Sequence, residues 1–252
     1  MIRPILSLVL AAMLLFGCGR EGFVSQPSSS FPPVASSSDG DELPPLPTEY
    51  ELTMVETKTV TENIAMHYRI PDDTGENADA ARRIGRRIEE VVGQLPDLFD
   101  MESEQPRLEL SDRVVRNENS RLSIVYEGTF TAQADAPPSP FCFGMTFSLR
   151  TGEQLALTDF VAPNTLAILL LDAQSAQLLA SDAQEESAQR SYVNDIGLAQ
   201  LAERIIAAAD QQTLAQMLDA SYYLEGGKLV VILSVPASMG SYACLMLENA
   251  SA

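Results

Sequence analysis

The chain contains one histidine, His67, so any catalytic arrangement that needs an imidazole base must be built around this residue. A serine or cysteine nucleophile requires such a base within hydrogen-bond reach. The sequence has no Gly-x-Ser-x-Gly motif that would present a serine nucleophile. The alternating pattern around His67 places it in a strand. We therefore expect His67 to be a structural or exposed residue rather than a catalytic one.

The spacing of the potential ligand residues does not match a known metal-binding or cofactor-binding motif. A zinc site would need His67, Cys142 and Cys244 to converge, without the short ligand spacing typical of zinc sites. The acidic segment at residues 72–76 lacks the ligand spacing of a calcium loop. No Gly-rich phosphate-binding loop is present. We expect no metal and no cofactor.

Carboxylates dominate the charge of the chain, with 35 acidic against 16 basic residues and a formal net charge of -19. This excess repels phosphate backbones, so nucleic acid is excluded as a partner class, whereas a basic partner would be attracted. A carboxylate pair could also perform glycoside hydrolysis, but no pair stands out in the sequence. The absence of Trp excludes a carbohydrate cleft built on Trp stacking.

The N-terminal residues have the pattern of a secretory signal. Arg3 supplies a positive charge, and residues 5–16 form an almost wholly apolar run, shorter than the roughly 20 residues of a membrane-spanning helix. The run closes on the sequence LFGC at residues 15–18, which resembles the lipobox of bacterial lipoproteins. The resemblance implies that residues 1–17 are removed and that Cys18 carries the lipid. An ordinary signal peptide and a retained membrane anchor are the alternatives.

The segment after the signal is rich in Ser, Pro and Gly and has no apolar periodicity. Residues 18–47 include the runs Ser28–Ser30 and Ser36–Ser38, and such a stretch cannot bury enough apolar surface to offset its ordering entropy. We predict a disordered tether here and a single folded domain over residues 48–252. The expected location is the extracytoplasmic face of the cell membrane, with the lipid at Cys18 as the anchor.

Two cysteines remain once Cys18 is assigned to the lipid. Cys142 and Cys244 lie downstream of an export signal, and outside the cytosol an even pair often forms a disulfide. We predict a possible disulfide between them. Two free buried thiols are the alternative, because the sequence does not show whether the two strands that carry them are neighbours.

Hydrophobic periodicity predicts an α+β fold with a largely antiparallel sheet and three helices. Gly226-Gly227 marks a hairpin turn, and Asn77 is the expected cap of the first helix. The element order is β-β-α-β-β-β-α-α-β-β-β. The predicted strands are residues 52–60, 64–70, 107–116, 121–131, 141–149, 221–225, 228–235 and 241–248, and the helices begin at 77 and span 164–183 and 195–218.

A cluster of basic side chains falls on the outer side of the first predicted helix. It comprises Arg82, Arg83, Arg86 and Arg87, followed by acidic residues at 89 and 90. The pattern is typical of a solvated helix face with Arg–Glu pairs at helical spacing. A local anion site is the alternative.

The segment from Leu122 to Phe160 resembles a known extracytoplasmic domain family of unknown general function. The resemblance is carried by the strand Leu122-Ser123-Ile124-Val125-Tyr126 and by the sequence TGEQLALTDF at 151–160, and it extends to the closing hairpin at 224–231. The family includes the outer domain of a lysozyme-sensing anti-sigma factor and the N-terminal part of some peptidoglycan deacetylases. The sequence shows neither a deacetylase domain nor a membrane-spanning helix that would link to a cytoplasmic sigma-binding segment, so we expect neither lysozyme sensing nor deacetylation to transfer as an activity.

Three functions remain open from the sequence. The first is a non-catalytic binding or sensing module at the cell envelope, with an unknown protein or cell-wall ligand. Because the chain is acidic, lysozyme is a physically sensible candidate partner. The second is an envelope enzyme that uses carboxylates, and the third is a structural envelope lipoprotein. We expect the first, because no nucleophile–base pair is apparent.

Overall fold

The computed structural model describes residues 51–247, except 76, 100, 102–105, 119, 134, 210 and 212. The predicted signal peptide, Cys18 and the predicted tether lie outside the described residues. The predicted α+β class with mostly antiparallel pairing is confirmed. The single predicted sheet was wrong, because the strands form two separate sheets.

Five strands in sequence order form the first sheet, which we call sheet A. Neighbouring strands pair antiparallel, except that β2 and β3 are parallel across the crossover made by the first helices. The strands are β1 Met54–Val60, β2 Ile64–Pro71, β3 Arg107–Glu118, β4 Arg121–Thr131 and β5 Ser139–Ser148.

The second sheet, sheet B, has four strands in the order β6-β9-β8-β7. Gly226 and Gly227 form the predicted hairpin turn between β7 and β8, with φ of 58° and 79°. Two successive positive φ angles suit the tight turns that match strand twist. The strands are β6 Ala176–Leu178, β7 Ala220–Glu225, β8 Lys228–Ser234 and β9 Tyr242–Leu247.

Three longer helices and two short ones are seen among the described residues. The predicted helix at 164–183 was wrong in its second half, because Asp172 accepts hydrogen bonds from Gln174 N and from the Ser175 hydroxyl. These local bonds replace the helical ones, and the chain then enters β6. The helices are α1 Ala78–Val92, α2 Leu95–Leu98, α3 Pro163–Leu171, α4 Ala183–Ala208 and α5 Leu214–Asp219.

The predicted helix at 195–218 was also placed wrongly. α4 begins earlier, because Asp182 caps it by accepting from Gln184 N and Glu185 N, both at 2.9 Å. Gly197 interrupts the helix with a φ of 74°, close to the predicted start. The last part of the predicted helix is the separate α5, capped by the Thr213 side chain.

Asn77 occupies the N-cap position of α1, as expected, but its side chain does not cap the helix. Its amide instead donates to the main-chain oxygen of Leu149. Because Leu149 follows β5, this contact joins the start of α1 to the end of β5.

Apolar side chains arrange these elements in four layers. α1 covers one face of sheet A through residues such as Ile84 and Ile88, which are fully buried with Leu122 and Ile124 of β4. The other face of sheet A packs in part on sheet B. α3 and α4 cover the outer face of sheet B.

The two sheets cross where β7 passes over sheet A. Ser221 Oγ accepts from Gly144 N of β5 at 3.1 Å, and Ser123 Oγ of β4 accepts from Leu224 N at 2.9 Å. Glu225 then pairs with Arg113 of β3 at 2.6 Å. Within five residues β7 therefore contacts three successive strands of sheet A. Strands lie about 4.8 Å apart, so β7 runs across the strands of sheet A rather than along them.

Gly144 is a point of close approach between the sheets. A Cβ atom at this position would lie 2.4 Å from the Tyr222 carbonyl oxygen. We predict that Gly144→Ala lowers the free energy of unfolding by about 1–3 kcal/mol, because the backbone of β7 must move away. Urea unfolding of the full chain measures this change. Gly75→Ala is the matched control, since no atom lies within 4 Å of its added Cβ. Equal losses in the free energy of unfolding for the two variants would contradict the close approach of β7 to Gly144.

Candidate functional site

Sheet B covers only part of the face of sheet A that it contacts. Residues Leu122–Tyr126 of β4 are all buried, which is expected where both faces of a strand are covered. Glu127 is exposed and the residues after it are half-buried, so cover on this face ends there. The uncovered part of the face forms a groove bounded by sheet B.

This feature, which we call the acidic groove, has a volume of about 510 Å³. Four other cavities measure about 300 to 380 Å³. Small-molecule and side-chain sites usually fall in the range of about 300–1,000 Å³. β2, β3, β4 and β5 contribute to its lining, and β9 of sheet B contributes one aromatic side chain. The polar side chains that line it are His67, Glu109, Ser111, Glu127, Thr129 and Tyr242.

Two carboxylates dominate the electrostatics of the acidic groove. Glu109 is opposite Thr129 in the register of β3 and β4, and Ser111 is opposite Glu127. Glu109 and Glu127 are therefore diagonal neighbours on one face, with Cβ atoms about 7–8 Å apart or slightly less. No lysine or arginine lines the groove among the described residues. The arrangement favours a cationic ligand.

Sequence reasoning did not single out either carboxylate. Glu109 lies between the buried residues Leu108 and Leu110, so the alternation of β3 places it on the opposite face. That alternation is visible in the sequence. Glu109 and Ser123 lie on the same face of sheet A. The sequence does not show that this face is open at Glu109 and covered at Ser123.

His67 lines the acidic groove as a half-exposed residue, in agreement with the expectation of a structural or exposed position. Its Nδ1 atom lies 3.7 Å from Glu56 Oε1 on β1. The hydroxyl of Ser111, which is also in the groove, donates to the main-chain oxygen of Glu127 at 3.4 Å. Across the part of the chain that the structure describes, no hydroxyl or thiol is hydrogen-bonded to His67.

Tyr242 forms the wall of the acidic groove. Burial raises the pKa of its phenol, and the nearby Cys142 thiol and Glu127 carboxylate act in the same direction. The side chain therefore keeps its proton and can donate a hydrogen bond. The main-chain oxygen of Tyr242 accepts from the Gln189 side chain of α4 at 3.2 Å, which fixes the wall to the helix layer.

The structure brings the two predicted disulfide partners together. Cys142 lies opposite Glu127 in the pairing of β4 and β5, and Cys244 lies two residues after Tyr242 on β9. The two residues belong to different sheets, and their side chains pack in one apolar cluster between the sheets. Both are free thiols in this structure, with Cys142 buried and Cys244 partly exposed. The neighbouring Cys244 thiol and burial raise the pKa of Cys142.

The predicted basic cluster lies on α1, on the opposite face of sheet A from the acidic groove. Arg82 pairs with Asp73 at 3.1 Å, as expected of a solvated helix face. Arg87 differs, because its side chain is only 17% exposed. It pairs with Glu90 at 3.2 Å and donates to Gln154 at 2.9 Å, so it joins α1 to the segment after β5.

Neither a metal cluster nor a membrane-spanning helix is found within the described ranges. No group of three or more His, Cys, Asp or Glu side chains there could hold a metal ion. None of the helices in the same residues combines the length and the apolar character needed to cross a membrane.

We predict that Cys142 and Cys244 are bridged in the protein exported to an oxidising compartment, because the two side chains pack in one apolar cluster between the sheets. Alkylation of the unfolded, non-reduced protein followed by intact-mass measurement should then find neither thiol free. Reduction should lower the free energy of unfolding by about 4–5 kcal/mol in the chain-entropy model, since the closed loop has about 100 residues. Recovery of two alkylated thiols without reductant would reject the bridge.

No protein-family model and no curated protein matches the chain. Several solved structures are similar to it, among them two members of one family. One is a DUF3298 family protein from Pseudomonas aeruginosa, with 15% identity over 81% of this chain and 91% of the other, at a TM-score of 0.38. The second is a DUF3298 family member from Bacteroides fragilis, with 10% identity over 79% and 90%, at a TM-score of 0.41. The structural neighbours thus belong to a family named as a domain of unknown function.

Proposed function

We propose that this protein is a membrane-anchored lipoprotein whose folded domain is a non-catalytic binding or sensing module for a basic protein partner. The observation that carries the proposal is the acidic groove. Glu109 and Glu127 share one concave surface, and no lysine or arginine among the described residues lines it. A cationic side chain of the partner would pair with these carboxylates while Tyr242 supplies contact area and a hydrogen-bond donor.

The contacts of the polar groups in the groove support binding rather than turnover. A serine nucleophile needs a base that accepts its proton. The Ser111 hydroxyl donates to a main-chain oxygen, and the ionic partner of His67 is Glu56, which lies outside the groove. The groove therefore has the charge and shape of a binding site, and its serine hydroxyl is not hydrogen-bonded to a base.

Lysozyme is a suitable probe because it is a small basic protein. The formal charge of -19 steers any basic protein toward this chain, so attraction alone does not identify a site. Screening shortens such attraction to about 8 Å at physiological ionic strength. A partner that uses the acidic groove must therefore keep its affinity at that ionic strength and must depend on Glu109 and Glu127.

We predict that Glu109→Gln and Glu127→Gln each weaken lysozyme binding about tenfold at physiological salt, because each removes one charge that the ligand neutralises. Calorimetric titration of the full chain measures the effect. Glu203→Gln is the matched control, since this exposed glutamate lies on α4 and does not line the groove.

Other outcomes of this titration separate the alternatives. Binding that vanishes at physiological salt would mark mere charge attraction and would remove lysozyme as the partner. Equal losses in all three variants would remove the acidic groove as the site. If lysozyme fails, titration with soluble wall fragments tests the cell-wall version of the ligand.

The anchor is the second part of the proposal. Cys18 follows a charged residue, an apolar run and a small glycine, which is the pattern that lipid-anchored proteins carry. We predict that Cys18→Ala abolishes incorporation of labelled palmitate and blocks processing of the signal peptide, or leaves the product unlipidated. Cys244→Ala is the control and should stay lipidated. Labelling that persists in the Cys18→Ala variant would reject the anchor.

A carboxylate enzyme is the second candidate function, and one observation favours it. Glu109 and Glu127 are diagonal neighbours in a groove, and glycosidases use two carboxyl groups about 5–9.5 Å apart. Assay of the full chain on a panel of wall polysaccharides distinguishes the two functions. Turnover that is lost in both Glu109→Gln and Glu127→Gln but kept in Glu203→Gln would support the enzyme and overturn the binding module.

A further inference from the structure

The outer edge of β1 is the starting point of this inference. β1 is an end strand of sheet A, and β2 is the neighbour with which it pairs. The strand has seven residues and contains no proline or glycine. Val55 is 47% exposed and Val60 is 64% exposed. A long, exposed edge with apolar side chains is a template for pairing with another strand.

The hydrogen bonds at both ends of β1 show which backbone groups face outward. Thr61 N donates to Ile64 O at 2.8 Å, and Asp72 N donates to Thr53 O at 2.7 Å. Both contacts fit the β1–β2 register, and backbone direction alternates along an antiparallel strand. The odd-numbered residues therefore bond to β2. The even-numbered residues Met54, Glu56, Lys58 and Val60 direct their N–H and C=O groups to the open edge.

The charges on this edge are self-complementary. In an antiparallel pair of two β1 strands centred on Thr57, Glu56 of one copy lies opposite Lys58 of the other, and Lys58 lies opposite Glu56. In the same register Met54 lies opposite Val60. Every outward-facing residue of β1 therefore meets an outward-facing residue of the second copy. Directly opposite residues are about 5.5 Å apart at their Cα atoms, which is close enough for ion pairing.

Neighbouring registers are disfavoured by the same charges. The register can be described by the residue of β1 that lies on the two-fold axis. Outward-facing residues of the two copies stay opposite each other only when this axis is shifted along β1 by a whole number of residues. A centre at Glu56 places two glutamates opposite each other, and a centre at Lys58 places two lysines opposite each other. Like charges in direct cross-strand positions are destabilising. Only the register centred on Thr57 combines opposite charges with full overlap of the seven residues.

We propose that two copies of this chain associate through antiparallel pairing of their β1 edges, centred on Thr57, so that the two copies of sheet A form one continuous sheet. The arrangement is a two-fold dimer in which the same patch contacts itself. The exposed side chains of Val55 and Val60 gain cover from the second strand. The acidic grooves of both copies open on the same face of the joined sheet, because Glu56 and Lys58 lie on the face that carries His67.

Charge reversal tests the proposal on the full chain held in density-matched detergent. Glu56→Lys places two lysine pairs across the two-fold axis, and Lys58→Glu places two glutamate pairs there. We expect each single variant to raise the dimer dissociation constant about tenfold or more in sedimentation equilibrium. An equimolar mixture of the two variants should regain native affinity, because every opposed pair in the mixed dimer has opposite charges.

Two controls separate this effect from damage to the fold. The double variant Glu56→Lys/Lys58→Glu should dimerise like the native chain, since the swap keeps the charges complementary. Glu203→Lys reverses an exposed charge on α4 and should leave the dimer unchanged. A monomeric native chain, a dimer that neither single variant weakens, or a mixture no tighter than its components would each overturn the proposal.

Discussion

The crossing of β7 over sheet A is the contact on which the rest of the structure depends. It requires a position without a side chain at Gly144, where the Tyr222 carbonyl oxygen would be 2.4 Å from a Cβ atom. It also buries polar groups, which must be paired when they leave water. The hydroxyl of Ser123 contacts the Thr146 hydroxyl and accepts from Leu224 N, so it meets this requirement with bonds that also hold the sheets together.

The position of this crossing decides which parts of sheet A stay open. Residues of β4 and β5 near the crossing are buried on both faces, whereas Glu109 and Glu127 are exposed. The acidic groove exists because sheet B does not extend over β2 or over residues 109–111 of β3, and Tyr242 forms its border there. Among the described residues, the elements that cover sheet A pack over its faces and β1 pairs with β2 alone, so the outer edge of β1 is open in that part of the chain.

The cysteine pair also follows from the crossing. Cys142 belongs to sheet A and Cys244 to sheet B, and they meet because both sheets direct these side chains into the shared layer with Val230 and Ile232. The pair lies next to the acidic groove, through Glu127 on one strand and Tyr242 on the other. A bond between the sulfur atoms would therefore join the two sheets where the groove wall meets its floor.

The sequence by itself determined the order of the long elements, the α+β class and most strand positions, because side-chain periodicity and turn residues act over a few positions. It failed at Asp172 and Asp182, where side chains bonded to nearby backbone groups end or begin a helix earlier than the apolar pattern suggests. Only the tertiary structure divided the strands into two sheets and brought Glu109 and Glu127 into one open groove. A glutamate in a strand gives the same alternating sequence pattern whether its face of the sheet is free or covered. The cover depends on the angle at which a strand distant in the sequence crosses that face.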